Sequence, residues 1–257
     1  MDLQLKGRKA IVTGATRGIG LAIARTLAGE GVDLAICART SAHVSNTVTE
    51  LGGRGVRAIG DTVDVSQGEE YVKWLNSAAE RLGGLDIFVH NVTGTPTIPG
   101  EKGWDAGYQT DILGAVRGVQ TLTPHLRRSG GGAMVFICSI SGLISKVIPA
   151  PGAHAYGASK AALICYGSMV SKELAKDKIR VNMVSPGPIY FKGGPWDFIQ
   201  QRAPQVYSAA QDACVIGRLG DPQDIADAVA FLASPRSSFT VGQNLHVDGG
   251  YMQHVPF

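Results

Sequence analysis

The stretch Lys9-Ala10-Ile11-Val12-Thr13-Gly14-Ala15-Thr16-Arg17-Gly18-Ile19-Gly20 decides how the rest of the chain is read. Its first five residues form a short, largely apolar run with three β-branched members, the pattern of a buried strand. From Ile19 to Glu30 apolar residues return at 19, 22, 23 and 27, one face of a helix. Glycines between the two allow a tight turn, and they let the backbone come close to a pyrophosphate resting on the helix N-terminus. The spacing is Gly-x-x-x-Gly-x-Gly, which differs from the usual dinucleotide fingerprint. A glycine cluster alone can be a plain turn. Its place, directly after the first strand and opening the first helix, makes it a nucleotide-binding candidate.

Outward from this turn the pattern repeats. Short apolar runs at 34–37, 56–59, 85–89, 133–138, 179–184 and 244–247 read as further strands, with helices at 42–51 and from about Ser66. Ser66 is placed to cap that helix, with Glu69 at its third position. Near-continuous apolar strands alternating with helices predict a parallel sheet covered on both faces. Right-handed crossovers then give a seven-stranded, doubly wound α/β domain of Rossmann type. No linker-like run or repeat divides residues 1–257, so one dinucleotide-binding and catalytic domain is expected. Residues 189 to about 217 are aromatic, Gln-rich and carry two prolines; they read as an insertion covering the substrate.

Composition narrows the function. The 257 residues are 44% hydrophobic and 18% charged, ordinary for a globular domain, and the formal charge is only +3. That balance fits an anionic small ligand and falls short of a nucleic-acid-binding signature. Cys37, Cys138, Cys165 and Cys214 lie far apart, three of them in apolar runs, and predict free thiols rather than a metal site. The six histidines have no ligand spacing, so no metal is expected. The first residues run almost at once into a strand, and no apolar stretch reaches the ~18 residues of a membrane helix. A soluble, cytoplasmic protein with no membrane partner is expected.

Tyr156 and Lys160 stand four residues apart on a predicted helix and so share a face. A phenol with an ordinary pKa of ~10 is a poor base at neutral pH. An ammonium ~4 Å away, in an effective dielectric near 20, favours the phenolate by ~4 kcal/mol. The pair therefore has the makings of a general acid/base. Tyr-x-x-x-Lys is common on ordinary helices, and it is the glycine turn that tips the reading toward catalysis.

These motifs, together with Asp64-Val65-Ser66, Asp86 to Asn91, Tyr156-Gly157-Ala158-Ser159-Lys160, Ser185-Pro186-Gly187 and Val247-Asp248-Gly249-Gly250, resemble those of the short-chain dehydrogenases/reductases. The resemblance runs from Lys9 to about Tyr251, in the short single-domain branch that includes 3-oxoacyl-carrier-protein reductases. It implies a hydride transfer between a nicotinamide cofactor and a carbonyl or alcohol, with Tyr156 as acid/base, Lys160 as its helper and ribose anchor, and Ser139 polarising the carbonyl oxygen. Ser141 competes with Ser139, and the segment from there to Tyr156 is longer than in typical members. The cofactor contacts it implies are Gly14, Thr16, Arg17, Gly18, Ile19, Gly20, Arg39, Asp64, Val65, Asn91, Tyr156, Lys160 and Ile189. NAD-dependent members end strand two with an acid for the ribose 2′-hydroxyl; here Ala38 stands there, followed by Arg39, while Asp33 lies at the strand's start. Arg39 and Arg17 can instead grip a 2′-phosphate, so NADP(H) is expected.

Three places depart from the family's pattern. Asn-Asn-Ala-Gly becomes His90-Asn91-Val92-Thr93, the relay asparagine becomes Asp111, and the threonine expected after Ser185-Pro186-Gly187-Pro188-Ile189 becomes Phe191. Asp111 remains a candidate catalytic residue, because a charged side chain near Lys160 shifts its pKa. Trp196, Phe198, Ile199 and Tyr207 point to an apolar substrate, or else pack as core. A 3-oxoacyl thioester and a cyclic or aromatic ketone both fit. The other class of function is a non-catalytic NADP(H)-sensing scaffold; a sugar-nucleotide epimerase is disfavoured by the glycine spacing. Residues 243–248 are expected at a sheet edge, followed by an apolar tail, Val255-Pro256-Phe257, and a homotetramer is the implied assembly.

Overall fold

A computed structural model describes residues 1–94, 97–145 and 150–253. β1 (Lys9–Thr13) leads into α1 (Gly18–Gly29), then β2 (Asp33–Ala38), α2 (Ser41–Gly52), β3 (Ala58–Thr62), α3 (Gly68–Leu82) and β4 (Ile87–His90). α4 (Gly100–Gly107) passes through a π-helical turn, Tyr108–Leu113, into α5 (Gly114–Arg128) and β5 (Gly132–Ile137). α6 (Ala153–Leu174), β6 (Ile179–Pro186), α7 (Pro195–Arg202), α8 (Pro204–Ala213), α9 (Pro222–Ala233) and β7 (Asn244–Val247) follow.

The seven strands form one sheet in the order β3-β2-β1-β4-β5-β6-β7, and every pairing is parallel. The alternation of side chains along each strand splits the core in two. In β1, Ala10 and Val12 join the core with Ile23 and Leu27 of α1 and Ile225 and Val229 of α9. Ile11 joins the other core, with Leu75 of α3, Leu122 of α5 and Leu163 of α6. Each such fully buried Val, Leu or Ile side chain stabilises the fold by ~1.5–3 kcal/mol relative to exposure. The two-faced fold expected from the sequence is the one observed.

Two local readings need correction. β3 is Ala58–Thr62 rather than 56–59, because its register is set by β2 from Leu34↔Ala58 to Ala38↔Thr62. Its Gly60-Asp61-Thr62 half is not apolar, and Gly60 is needed there: a Cβ would lie 2.7–2.8 Å from Val48 and Val44 of α2. Ser66 does not cap α3, whose N-cap is Gln67; its hydroxyl donates to Asp64 Oδ1 at 2.8 Å instead. Within residues 189–217, Pro195 and Pro204 each open a helix, where a missing N–H costs nothing.

β7 pairs only with β6 and is the sheet edge, as expected. The tail residues 255–257 lie outside the described residues, as does part of the lengthened segment before Tyr156. Among the described residues no helix is long and apolar enough to cross a membrane, and no group of His, Cys, Asp or Glu is arranged to hold a metal. Cys37, Cys138 and Cys214 are buried free thiols, while Cys165 is exposed.

Candidate active site

β1 and β4 are sheet neighbours although β2 and β3 separate them in sequence, so the winding direction reverses between them. Ligands of open α/β sheets bind outside the carboxyl ends of the strands at this point. The expected site residues follow those ends: the glycine turn after β1, Arg39 after β2, Asp64 after β3, Asn91 after β4, Ser139 after β5 and Ile189 after β6.

The glycine turn is built for close approach. Gly14 and Gly18 have φ of +65° and +52°, which a side chain disfavours. A Cβ on Gly20 would collide with the Gly14 carbonyl and the Asn91 amide, so α1 can sit this near β1 only because residue 20 is glycine. Asn91 Nδ2 donates to Thr13 O at 3.0 Å and Gly14 O at 3.2 Å, while its N–H donates to Thr13 Oγ1 at 3.0 Å. The Asn91 amide thus shapes the turn, and only its carbonyl oxygen is left for a ligand.

The flanking residues divide by role. Arg17 and Arg39 are exposed, and their guanidiniums make no hydrogen bond or ion pair among the described residues. Asp33 sits at the far end of β2 and accepts the Arg57 N–H at 2.8 Å, away from the crevice. Asp64 Oδ1 is taken by Ser66, and the Val65 side chain is buried in the core under α3 and α5, so Val65 offers a ligand only its backbone. Ile189 is likewise buried; its neighbours pair with Gly220, which leaves its own N–H and C=O facing away from that bridge. The Phe191 ring lies between Gly18 and Gly194, its outer carbons 2.6–2.9 Å from where a Cβ on either would stand. Apolar surface therefore replaces a hydroxyl beside the turn.

Tyr156 and Lys160 lie on α6, with the Lys160 ammonium 5.7 Å from the Tyr156 ring centroid. Tyr156 is half-buried, and its phenol makes no hydrogen bond among the described residues. Lys160 is buried, and Nζ donates to Ile137 O at 2.9 Å and pairs with Asp111 Oδ1 at 2.8 Å. An ammonium has three protons, so one remains for a ligand. Burial is the largest single influence on Lys160 and pulls its pKa down, but Asp111, with smaller contributions from Tyr156 and Cys138, more than offsets it and the net shift is upward. Ser139 follows β5 and is nearly buried; its Oγ accepts the Ser141 N–H at 3.1 Å, so its hydroxyl proton is free to donate. Ser141 lies in the 3-10 turn Ile140–Gly142, half-buried.

Asp111 comes from the π-helical turn, a distortion that often marks functional positions. Thr93 Oγ1 donates to its Oδ1 at 2.8 Å and Gly94 N to its Oδ2 at 2.7 Å. Sequence reasoning named Asp111 but not this clamp, and no local signal pairs residue 93 with 111. His90, fully buried beside it, has no hydrogen bond of good geometry at either ring nitrogen among the described residues. Trp196 of α7 and Tyr190, in the segment after β6, pack edge-on against Tyr207 of α8 at 6.4 and 6.1 Å, while Phe198 of α7 is exposed. Trp196 and Tyr207 therefore pack against neighbouring rings, and Phe198 is left facing solvent.

A glycine turn at the switch point and a Tyr–Lys pair past the adjoining strands define a nucleotide-dependent α/β oxidoreductase. A family model described as enoyl-(acyl carrier protein) reductase matches residues 14–252. Isoepoxydon dehydrogenase patN of Penicillium expansum is 35% identical over 252 residues, covering 96% of this chain and 95% of that protein. A 3-oxoacyl-[acyl-carrier-protein] reductase of Staphylococcus epidermidis is 32% identical, over 95% of this chain and 98% of its own. Among solved structures, L-sorbose reductase from Gluconobacter frateurii complexed with NADPH and L-sorbose superposes with a TM-score of 0.90 at 30% identity, covering 99% of this chain and 100% of that one. A 7α-hydroxysteroid dehydrogenase complexed with NADH and 7-oxo glycochenodeoxycholic acid also gives 0.90, at 29% identity and 99% and 98% coverage. The chain belongs to the short-chain dehydrogenase/reductase family and is an oxidoreductase acting on alcohol and carbonyl groups.

Proposed function

We propose that this chain is an NADPH-dependent reductase of ketones or aldehydes, with Tyr156 as the proton donor. The observation that carries the reading is the Tyr156–Lys160 pair: a free phenol beside a buried ammonium that keeps one proton unused. The glycine turn, with its enforced close approach and unpaired arginines, fits a dinucleotide carrying a 2′-phosphate. Bound NADPH supplies the hydride. Ser139 donates a hydrogen bond to the carbonyl oxygen and polarises it while keeping its proton, Tyr156 delivers the one proton to that oxygen, and Lys160 holds the nicotinamide ribose. Ile189 adds backbone contacts, and residues 189–217 cover the substrate within a single catalytic domain. Exposed Phe198 and Leu143 favour an apolar substrate such as a cyclic ketone.

The test is NADPH oxidation, followed by absorbance, against a panel of cyclic ketones, aromatic ketones, aldehydes and a 3-oxoacyl thioester. Turnover of at least one carbonyl is expected. NADPH binding with no turnover across the panel would instead indicate the sensing scaffold.

A homotetramer completes the proposal. Leu245 on the β7 edge is exposed, as are Phe231 on α9 and Phe239, and Trp104, Tyr108 and Met169 expose apolar side chains on α4, the π-helical turn and α6. Exposed apolar patches and an open edge strand both call for cover. Two self-complementary patches on one chain generate a tetramer with dihedral symmetry. Light scattering is expected to give about four times the chain mass of 26.9 kDa; a value at 26.9 kDa sinks the assembly.

A further inference from the structure

Two of the three departures from the family's pattern meet at one point in the folded protein. Asp111 Oδ1 lies 2.8 Å from Lys160 Nζ, with the two side chains 1% and 2% exposed. Thr93 and Gly94, from the segment after β4, hold the carboxylate from the other side. An ion taken this far from water persists only when it is paired and hydrogen-bonded.

The other ionisable groups facing Lys160 come from each element around it: His90 on β4, Cys138 just after β5, and Tyr156 on α6 itself. Burial drives the His90 pKa down to about 4 and pushes the Cys138 thiol up to about 12, so both are uncharged near neutrality. Among the described residues Asp111 is therefore the carboxylate that balances the ammonium. An asparagine could accept the same hydrogen bond but would bring no charge.

We infer that Asp111 is a positioning residue whose carboxylate keeps Lys160 charged in a dry site, and so sets the alkaline limit of cofactor binding and turnover. The inference rests on Lys160 being the ribose anchor of the proposed reaction. The sign follows from the balance at Lys160. Burial disfavours the ammonium and Asp111 is the strongest of the groups that restore it, so removing the carboxylate's charge tips the balance toward burial. The proton then leaves at lower pH, and the alkaline limb moves down.

The experiment compares wild type with Asp111→Asn and Asp111→Glu, measuring NADPH binding by fluorescence and kcat/KM across a pH series. In Asp111→Asn both limbs are expected at least ~1 pH unit lower, with Asp111→Glu returning toward wild type. Superimposable limbs in wild type and Asp111→Asn would overturn the inference. Should Asp111→Asn not fold, NMR of carbon-labelled lysines in the wild-type protein decides: Lys160 is expected to titrate above its ordinary 10.5, and titration below that value refutes the role. The binding limb does not depend on proton donation by Tyr156. Loss of turnover in Tyr156→Phe with an unmoved binding limb in Asp111→Asn sinks this inference alone. A moved limb with full turnover in Tyr156→Phe sinks the proposed proton donor and leaves Asp111 in place.

Discussion

Tyr156→Phe is expected to lower carbonyl turnover by at least about a hundredfold, the low end of what a positioned general acid contributes. The substitution removes one oxygen that makes no hydrogen bond among the described residues, so no internal bond is broken and the melting temperature should barely change. Lys160 keeps its contacts to Asp111 and Ile137, and NADPH binding should stay near wild type. This separation matters because a merely structural tyrosine would move stability and binding along with turnover. Near-wild-type turnover in Tyr156→Phe refutes the proton donor. Ser139→Ala and Ser141→Ala in parallel identify the polarising hydroxyl. Ser139 is expected to be the costly one, since its oxygen already accepts the Ser141 N–H and its proton alone is free to point at a substrate.

The second large effect concerns cofactor choice. β2 ends on Ala38, so no carboxylate stands where a ribose 2′-hydroxyl would be bound, and the guanidiniums of Arg39 and Arg17 are exposed without partners among the described residues. Two charge-assisted contacts to a 2′-phosphate at ~1.5 kcal/mol each make ~3 kcal/mol, a preference of at least about a hundredfold for NADPH over NADH. Arg39→Ala should give back about half of that free energy, roughly tenfold in affinity for NADPH, with NADH affinity little changed. Ala38→Asp should go further by placing a like charge against the phosphate. Salt should narrow the preference, because both arginines face solvent. Calorimetric titration with each cofactor measures all of this, and equal or tighter NADH binding by the wild type would show that Arg39 does not read a phosphate.

Parts of this protein were legible from neighbouring residues alone. The turn from β1 to α1 needs small residues at fixed offsets, so it leaves its mark within one short stretch. Tyr156 and Lys160 share a face because four residues advance about one helical turn. The buried strands declare themselves as apolar runs, and with right-handed crossovers they leave few arrangements besides a doubly wound sheet. Local chemistry also carries helix-start signals. Pro195 and Pro204 mark helix starts, and Asp221-Pro222 with Asp224 forms the capping box that opens α9.

The remainder depended on groups that meet only when the sheet assembles. The limits of β3 follow from its register with β2 and from α2 pressing on Gly60, neither of which is encoded in residues 56–62 themselves. Asn91 looked like a ligand contact, but the approach of β1 turns its amide to the glycine turn's carbonyls. Phe191 reaches Gly18 because the segment after β6 folds back across the sheet's carboxyl end. Composition and spacing place a lysine at 160 and a carboxylate at 111. That the two share one buried proton-rich contact, clamped by Thr93 and Gly94, is decided by three segments converging from distant parts of the chain. Short-range sterics and periodicity act between sequence neighbours and can be read there, whereas a desolvated charge pair exists only once tertiary packing has removed the water.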